Sequence, residues 1–169
     1  MDNNSKRERT FTWDNPLGGA SKAMKMAGIE YLRAMTEGSL PLPPLLHTLD
    51  FEVDSIENGS ATFAFTPQEF HYNPIGSVHG GVITAILDSA MGCSLHSLLP
   101  AGTGYTTLEL KVNFLKAVSI ESGRLKAIGK VIYSGGRTAL TEAQLTGNDG
   151  TIYAHAVSTC LIITAKKDG

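Results

Sequence analysis

Residues 73–99 read NPIGSVHGGVITAILDSAMGCSLHSLL and contain a single residue that is Asp, Glu, Lys or Arg, namely Asp88. From Val82 to Leu99 the stretch is apolar on nearly every side, which is typical of a helix buried in the centre of a domain. An ionised carboxylate on such a helix is costly unless it is paired or faces water. Asp88 is therefore either a structural residue, hydrogen-bonded to nearby Thr84 or Ser89, or a functional group that faces a cavity.

The start of this helix has the features of an anion-binding site. Gly80 and Gly81 allow a ligand to come close to the backbone. The first N–H groups of a helix have no partner within the helix, and they lie at the positive end of its dipole. Gly80 is therefore a candidate oxyanion binder and Asp88 a candidate base. His79 is open to two interpretations, a functional group or a residue whose hydrogen bond fixes the turn.

The spacing of these two groups has a geometric consequence. Gly80 and Asp88 are separated by about 12 Å along one helix, since each residue advances the axis by about 1.5 Å. One copy of the helix can hardly bring both groups to a single carbonyl carbon. If both act on one bond, we expect them to come from two copies of the helix across a twofold axis, the commonest form of protein assembly.

Composition narrows the functional classes. The chain has 169 residues, of which 42% are hydrophobic and 18% are charged, and this fits one domain of an ordinary globular protein. Its net charge of −2 and the lack of a basic stripe argue against nucleic-acid binding. We also find no secretory signal and no uncharged apolar run long enough for a membrane span, so we expect a cytoplasmic protein.

Cys93 and Cys160 are expected to be reduced core residues, and the sequence has no motif for a metal or nucleotide cofactor.

The periodicity of the rest of the chain predicts an α+β fold. We expect a polar tail, an N-terminal helix from Ser21 to about Glu37, and an extended connector over Leu40–Pro44. Apolar and polar residues alternate on both sides of Asn58-Gly59, which predicts a hairpin before the central helix. That helix should run from about His79 to Leu98. Four strand-like segments follow: Tyr105–Val118, Arg124–Tyr133, Arg137–Thr146 and Thr151–Ile163. Because helices and strands do not alternate, the sheet should be antiparallel, with one long helix packed on it.

The set Asn73, His79, Gly80, Gly81 and Asp88 resembles the hotdog-fold acyl-CoA thioesterases of the phenylacetic-acid-degradation, or PaaI-like, type. The likeness covers roughly residues 40–164, and it extends to the segments 107–115, 136–138 and 159–161. It implies an antiparallel sheet wrapped around the central helix in a hotdog domain of residues 40–169. Residues 1–39 would then form an N-terminal tail and helix outside the domain.

The resemblance implies hydrolysis of an acyl-CoA by a homodimer that assembles into a homotetramer, without a metal or another cofactor. The Gly80 N–H would polarise the thioester carbonyl, Asn73 would position substrate or water, and Asp88 of the facing subunit would act as base or nucleophile. Thr107, or its neighbour Thr106, matches a position at which a hydroxyl group assists the water. With His79 these residues form the candidate catalytic set. The candidate substrate-binding residues are Gly81, Ser134, Gly135, Gly136, Arg137 and Thr138.

Two other functions of the same fold stay open at the sequence level. One is a non-catalytic acyl-CoA-binding module, although the short basic N-terminal segment has no helix-turn-helix pattern. The other is a hydroxyacyl-thioester dehydratase, which would pair a loop histidine with a helix acid, and His71 fits that role poorly. The sequence does not choose between aryl-acetyl, short and medium acyl groups. Asp50, at a position where the family often has glycine, is expected to alter the mouth of the site.

Overall fold

The computed structural model describes residues 5–164 of the chain. Three short helices come first: α1 (Pro16–Ala23), α2 (Gly28–Thr36) and α3 (Pro44–Leu49). A hairpin of β1 (Glu52–Glu57) and β2 (Ser60–Phe65) leads to the long helix α4 (Gly80–His96). The last part of the chain forms the strands β3 (Thr103–Phe114), β4 (Leu125–Ser134), β5 (Thr138–Gly147) and β6 (Ile152–Thr164).

The strands form one antiparallel sheet in the order β1-β2-β4-β5-β6-β3 within the described residues. Helix α4 packs against this sheet and contacts each of its strands. Its buried side chains include Ile83, Ile86, Leu87 and Met91, which recur at intervals of three and four residues and therefore lie on one face of the helix. The predicted α+β fold with one long helix on an antiparallel sheet is therefore confirmed. No helix in residues 5–164 is long and apolar enough to cross a membrane.

The prediction of a single N-terminal helix from Ser21 to Glu37 is wrong. The structure has two helices there. The first, α1, begins earlier than predicted, at Pro16, and the Asn15 side chain caps it by accepting a hydrogen bond from the Leu17 N–H. Ala27 is extended and separates α1 from α2. The break brings Gly28 against α4, where its N–H donates to the Leu99 carbonyl. A Cβ at Gly28 would overlap the His96 carbonyl oxygen, so this close approach requires glycine.

The predicted extended connector holds for residues 40–43 but not for Pro44, which is the first residue of α3. Proline is well tolerated there because the first helical N–H needs no partner within the helix. Asp50 ends α3 in the left-handed region, with φ of 56°. Glycine adopts this conformation freely, which accounts physically for the family preference at this position.

The hairpin, α4 and the four later strands lie close to their predicted bounds. The largest difference is at β3, which begins at Thr103 and ends at Phe114 rather than at Val118. The N–H groups of Leu115 and Lys116 both donate to the Tyr153 carbonyl, and the chain leaves the strand there. Cys93 and Cys160 are free thiols, as expected.

Candidate active site

Asp88 lies midway along α4 and is half-buried. Its carboxylate accepts a hydrogen bond from the Thr107 hydroxyl on β3, with Oγ1 and Oδ1 3.1 Å apart. Thr106 is exposed, so of the two threonines it is Thr107 that contacts the carboxylate. The expected structural partner Ser89 instead donates to the Ala85 carbonyl. A half-buried carboxylate held by one hydroxyl keeps oxygen lone pairs for a further donor.

Asp88 lies on the wall of an apolar cavity of about 200 Å³. We call α2 and α3 together with the connector between them, residues 28–49, the N-terminal wall, because they close one side of this cavity. Leu32, Met35, Leu42 and Leu46 of the N-terminal wall line it. Helix α4 contributes Ser89 and Cys93 beside Asp88, while β3 contributes Tyr105. The carboxylate therefore faces a cavity, as the functional interpretation of Asp88 requires.

The environment at this cavity opposes additional negative charge. Burial first, and then the charge of Asp88, raise the pKa of the Cys93 thiol to about 12. Burial is also the main cause that raises the pKa of Tyr105 well above its usual value, followed by the nearby Cys93, Asp88 and Cys160. Both groups are therefore neutral at physiological pH. Cys93 is consequently not an activated nucleophile, since the reactive form is the thiolate.

The first turn of α4 presents a free backbone donor. His79 is the N-cap, and its Nδ1 accepts a hydrogen bond of 2.8 Å from the Gly81 N–H. This hydrogen bond is the one that the interpretation of His79 as a residue that fixes the turn requires. Gly80 is the first helical residue, and its N–H has no partner among the described residues. Of the two predicted donors, Gly81 is thus occupied and Gly80 is available.

Gly80 and Asp88 open on different spaces of one protomer. Gly80 lines a cleft of about 350 Å³ that also includes Phe114, Lys116 and Val118. None of the residues that line this cleft also line the cavity at Asp88. Within one chain the structure therefore does not bring the two groups together.

Asn73 holds the loop that precedes α4. Its Oδ1 accepts from the N–H groups of Ile75 and Ser77, while its Nδ2 donates to the Ser77 hydroxyl. Its backbone N–H also donates to the Ser77 carbonyl at 2.7 Å. The side chain is thus largely used in shaping the loop, and a role in positioning substrate or water would depend on its second amide hydrogen.

The predicted substrate-binding segment Ser134–Thr138 forms the turn between β4 and β5. The Gly135 N–H donates to the Thr138 carbonyl and closes the turn, while the Arg137 carbonyl accepts from the Ile162 N–H. Arg137 is exposed. Among the described residues, no hydrogen bond or ion pair joins this turn to Asp88 or Gly80.

Two further histidines, the buried His71 and the partly buried His96, make no side-chain hydrogen bond to Asp88 or Gly80. His71 accepts from the Gln68 N–H at Nδ1, and its Nε2 donates to the Leu49 carbonyl. Both ring nitrogens are thus used structurally, which disfavours the dehydratase alternative. The ring nitrogens of His96 have no hydrogen-bond partner in the described part of the chain, and the ring packs edge-on against Tyr31. Residues 5–164 contain no cluster of histidine, cysteine and acidic residues suited to a metal ion.

Comparison with known proteins connects this arrangement to a family. The sequence model of the thioesterase superfamily matches residues 75–154, which include both Gly80 and Asp88. A phenylacetic acid degradation-related protein from Ralstonia eutropha superposes with a TM-score of 0.69 at 26% identity, over 76% of this chain and 97% of that one. The chain has the hotdog fold, and it resembles the thioesterase superfamily over the matched residues.

Two further matches, one by sequence and one by structure, add detail. A 1,4-dihydroxy-2-naphthoyl-CoA hydrolase from Listeria monocytogenes is 28% identical over 123 residues, which are 73% of this chain and 97% of the relative. A Streptococcus mutans protein, solved with acetyl-CoA bound, has a TM-score of 0.62 at 24% identity over 69% of this chain and 91% of that one. The Streptococcus mutans structure supports the fold, whereas the family match and the Listeria monocytogenes hydrolase support thioester hydrolysis as the general activity.

The sequence alone did not reveal the cavity beside Asp88. Part of its N-terminal wall, residues 28–39, lies in the segment that the resemblance leaves outside the hotdog domain. One signal was present, since Leu32 and Met35 are three residues apart and therefore lie on one face of a helix. The part of the molecule against which this helix face packs could not be predicted from that spacing.

Proposed function

We propose that this protein hydrolyses an acyl-CoA thioester to free CoA and a carboxylic acid. The observation that carries the proposal is the carboxylate of Asp88, held by Thr107 on the wall of an apolar cavity in a thioesterase-superfamily fold. A non-catalytic binding module would have no need to expose an acid to the space that holds the acyl group.

The chemistry follows from the groups present. Asp88 accepts a proton from water as the water oxygen forms a bond to the thioester carbon. Negative charge then develops on the carbonyl oxygen, and the Gly80 N–H stabilises it more strongly in the transition state than in the ground state. The carbon–sulfur bond breaks, and CoA leaves as the thiolate. If Asp88 acts instead as nucleophile, it forms a mixed anhydride that water then cleaves.

Thr107 orients the acid in either form of the mechanism. Its hydroxyl donates to one carboxylate oxygen, so the other oxygen is available to the water or to the thioester carbon. Asn73 contributes indirectly through the loop that places Gly80. His79 contributes in the same way, because it caps Gly81 and not Gly80.

We further propose that the complete site is shared by two subunits. Two observations support it: the separate spaces at Gly80 and Asp88, and the position of β3 at the edge of the sheet. This edge strand exposes Leu108 and Phe114, which are 59% and 54% exposed. Exposed apolar side chains on an edge strand favour pairing with another copy. Because Thr107 lies on β3, Asp88 would lie near such an interface.

The remaining parts of the proposal concern assembly, CoA binding and location. A homodimer would pair further into a homotetramer. The turn Ser134–Thr138, with the exposed guanidinium of Arg137, would bind the nucleotide end of CoA. The protein would act in the cytoplasm, and residues 40–169 would form the catalytic domain.

Release of free thiol across a panel of acyl-CoA esters tests the proposed function. We expect turnover of at least one ester without added metal, and no loss of that activity after treatment with a chelator. Acyl-CoA binding without thiol release for any ester of the panel would instead favour the binding module. Activity lost on chelation and restored by zinc would contradict the proposed mechanism.

A further inference from the structure

The cavity beside Asp88 has a shape and a lining that select among acyl groups. Ser89 and Cys93 line it one and five residues beyond Asp88 on α4. At about 1.5 Å per residue, the cavity wall extends about 7.5 Å along the helix from Asp88 to Cys93. A group that enters beside the carboxylate would therefore lie along α4, with its far end near Cys93 and Tyr105.

The volume limits the size of that group. The cavity holds about 200 Å³, and an apolar protein cavity of about 150 Å³ binds benzene. One benzene-sized ring or a chain of about six carbons would fill it. A bicyclic ring system, such as the naphthoyl group in the name of the Listeria monocytogenes relative, would need more room.

The lining limits the charge of the group. The N-terminal wall lines the cavity mainly with leucine and methionine side chains. The described residues around the cavity include neither lysine nor arginine. The carboxylate of Asp88 would repel a second carboxylate on the acyl group. An acyl group that carries its own negative charge would therefore be excluded.

We propose that this cavity is the acyl subsite, that it accepts an uncharged monocyclic or short-to-medium acyl group, and that the N-terminal wall sets this limit. The inference rests on the proposed function. It assigns a role to residues 28–49, which lie outside the segment that matches the thioesterase superfamily model and carry none of the proposed catalytic groups.

Met35 is the residue at which to test the proposal, because it is only partly buried and lines the cavity from α2. Met35→Trp should reduce the space, whereas Met35→Ala should enlarge it. Met24 provides matched controls, Met24→Trp and Met24→Ala, since it is an exposed methionine that does not line the cavity. For each protein, kcat/KM is measured for acetyl-, hexanoyl-, benzoyl-, naphthoyl- and succinyl-CoA.

Wild type should prefer hexanoyl- or benzoyl-CoA to naphthoyl- and succinyl-CoA. Met35→Trp should lower the hexanoyl-to-acetyl ratio of kcat/KM at least about tenfold, the low end for a change of one methylene in an apolar pocket. Met35→Ala should raise the naphthoyl-to-hexanoyl ratio by a similar factor. The Met24 variants should leave both ratios at their wild-type values.

Binding of S-hexyl-CoA, a thioether that cannot be hydrolysed, gives a readout that does not need turnover. Met35→Trp should weaken its Kd relative to that of CoA alone, and circular dichroism should show that the variant is folded. Unchanged ratios and unchanged binding in a protein that hydrolyses acyl-CoA would overturn the acyl subsite and leave the proposed function intact. If wild type hydrolyses none of the esters, the proposed function fails first, and the subsite assignment fails with it.

Discussion

The first turn and the middle of α4 present different proposed catalytic groups to different spaces. At the first turn, Gly80 offers a backbone N–H in a cleft beside Phe114. At the middle, Asp88 offers a side-chain carboxylate in an apolar cavity beneath the N-terminal wall. The contrast shows how one helix can supply two half-sites that face different spaces. Under the proposed mechanism, neither half-site is sufficient, and a second copy of the chain completes each of them.

The largest expected effect is at the middle of the helix. Asp88→Asn keeps the size of the side chain but removes the proton acceptor, so we expect kcat to fall at least about a hundredfold. Asp14→Asn, on an exposed residue that does not itself line the cavity, is the matched control and should keep wild-type activity. If Asp88→Asn retains more than half of the wild-type rate, Asp88 is a structural residue and the contrast between the two half-sites disappears.

A mixed dimer tests whether the two half-sites belong to different subunits. One chain carries Asp88→Asn and the other Gly80→Pro, which removes the donor N–H at the first helical position, where proline is favoured. His79 is already extended, with ψ of 135°, as a residue before proline should be. Each homodimer should be inactive. The mixed dimer collects both defects in one site and none in the other, so its activity should return to roughly half of the wild-type value per dimer.

The control for this experiment is Gly80→Ala, because it keeps the N–H. Its added Cβ would lie 3.2 Å from the Phe114 ring, so it reports the steric cost without loss of the donor. The mixed dimer is isolated by two different affinity tags after co-refolding, and circular dichroism checks each chain. A folded mixed dimer without activity would show that the site is not shared in this way.

A smaller effect is expected at Thr107, which supports Asp88 from β3. Thr107→Val keeps the shape but removes the hydroxyl that donates to the carboxylate. Loss of one hydrogen bond to a charged group should lower kcat by about tenfold. Thr106→Val, at the adjacent exposed position, is the matched control and should have little effect. Equal losses in both variants would indicate a general disturbance of the strand rather than a role at Asp88.

The smallest expected effect is a change of stability with pH that involves His71. The His71 carbonyl accepts a hydrogen bond from the N–H of His79, the residue that precedes the first turn of α4. Burial lowers the pKa of His71 below its ordinary value of 6.5, and burial also lowers the pKa of His96. Between the lowered and the ordinary pKa, the unfolded chain binds more protons than the folded one. The free energy of unfolding should therefore fall as the pH decreases below about 6.5.

Urea unfolding at pH 7.5 and pH 5.5 measures this effect. The interval lies above the range in which Asp54 titrates, since the pKa of that carboxyl is lowered from 3.8, chiefly by its hydrogen bond with Lys126. His71→Gln should reduce the dependence of stability on pH. A free energy of unfolding that stays constant or rises toward pH 5.5 would contradict the prediction.

Local patterns in the sequence were sufficient for much of this structure. The apolar run after Gly81 predicted α4, and the step-two patterns predicted the sheet, because burial and periodicity are properties of neighbouring residues. The hydrogen bond between Asp88 and Thr107 was not predicted, since 19 positions separate the two residues and the resemblance assigned the Thr107 hydroxyl to the water. The break between α1 and α2 was not predicted, because the contact that accompanies it joins Gly28 to His96 and Leu99, far along the chain. The cavity was missed for the same reason.

The contact of Gly28 with the end of α4 also bears on the order in which the chain folds. Helix α2 precedes α4 in synthesis, yet its first residue docks on the carbonyl groups of His96 and Leu99. Contacts between distant residues form late, since closing a long loop has an entropic cost before the contact stabilises anything. We therefore expect Leu32 and Met35 of a nascent chain to stay uncovered at least until the whole of α4 has emerged.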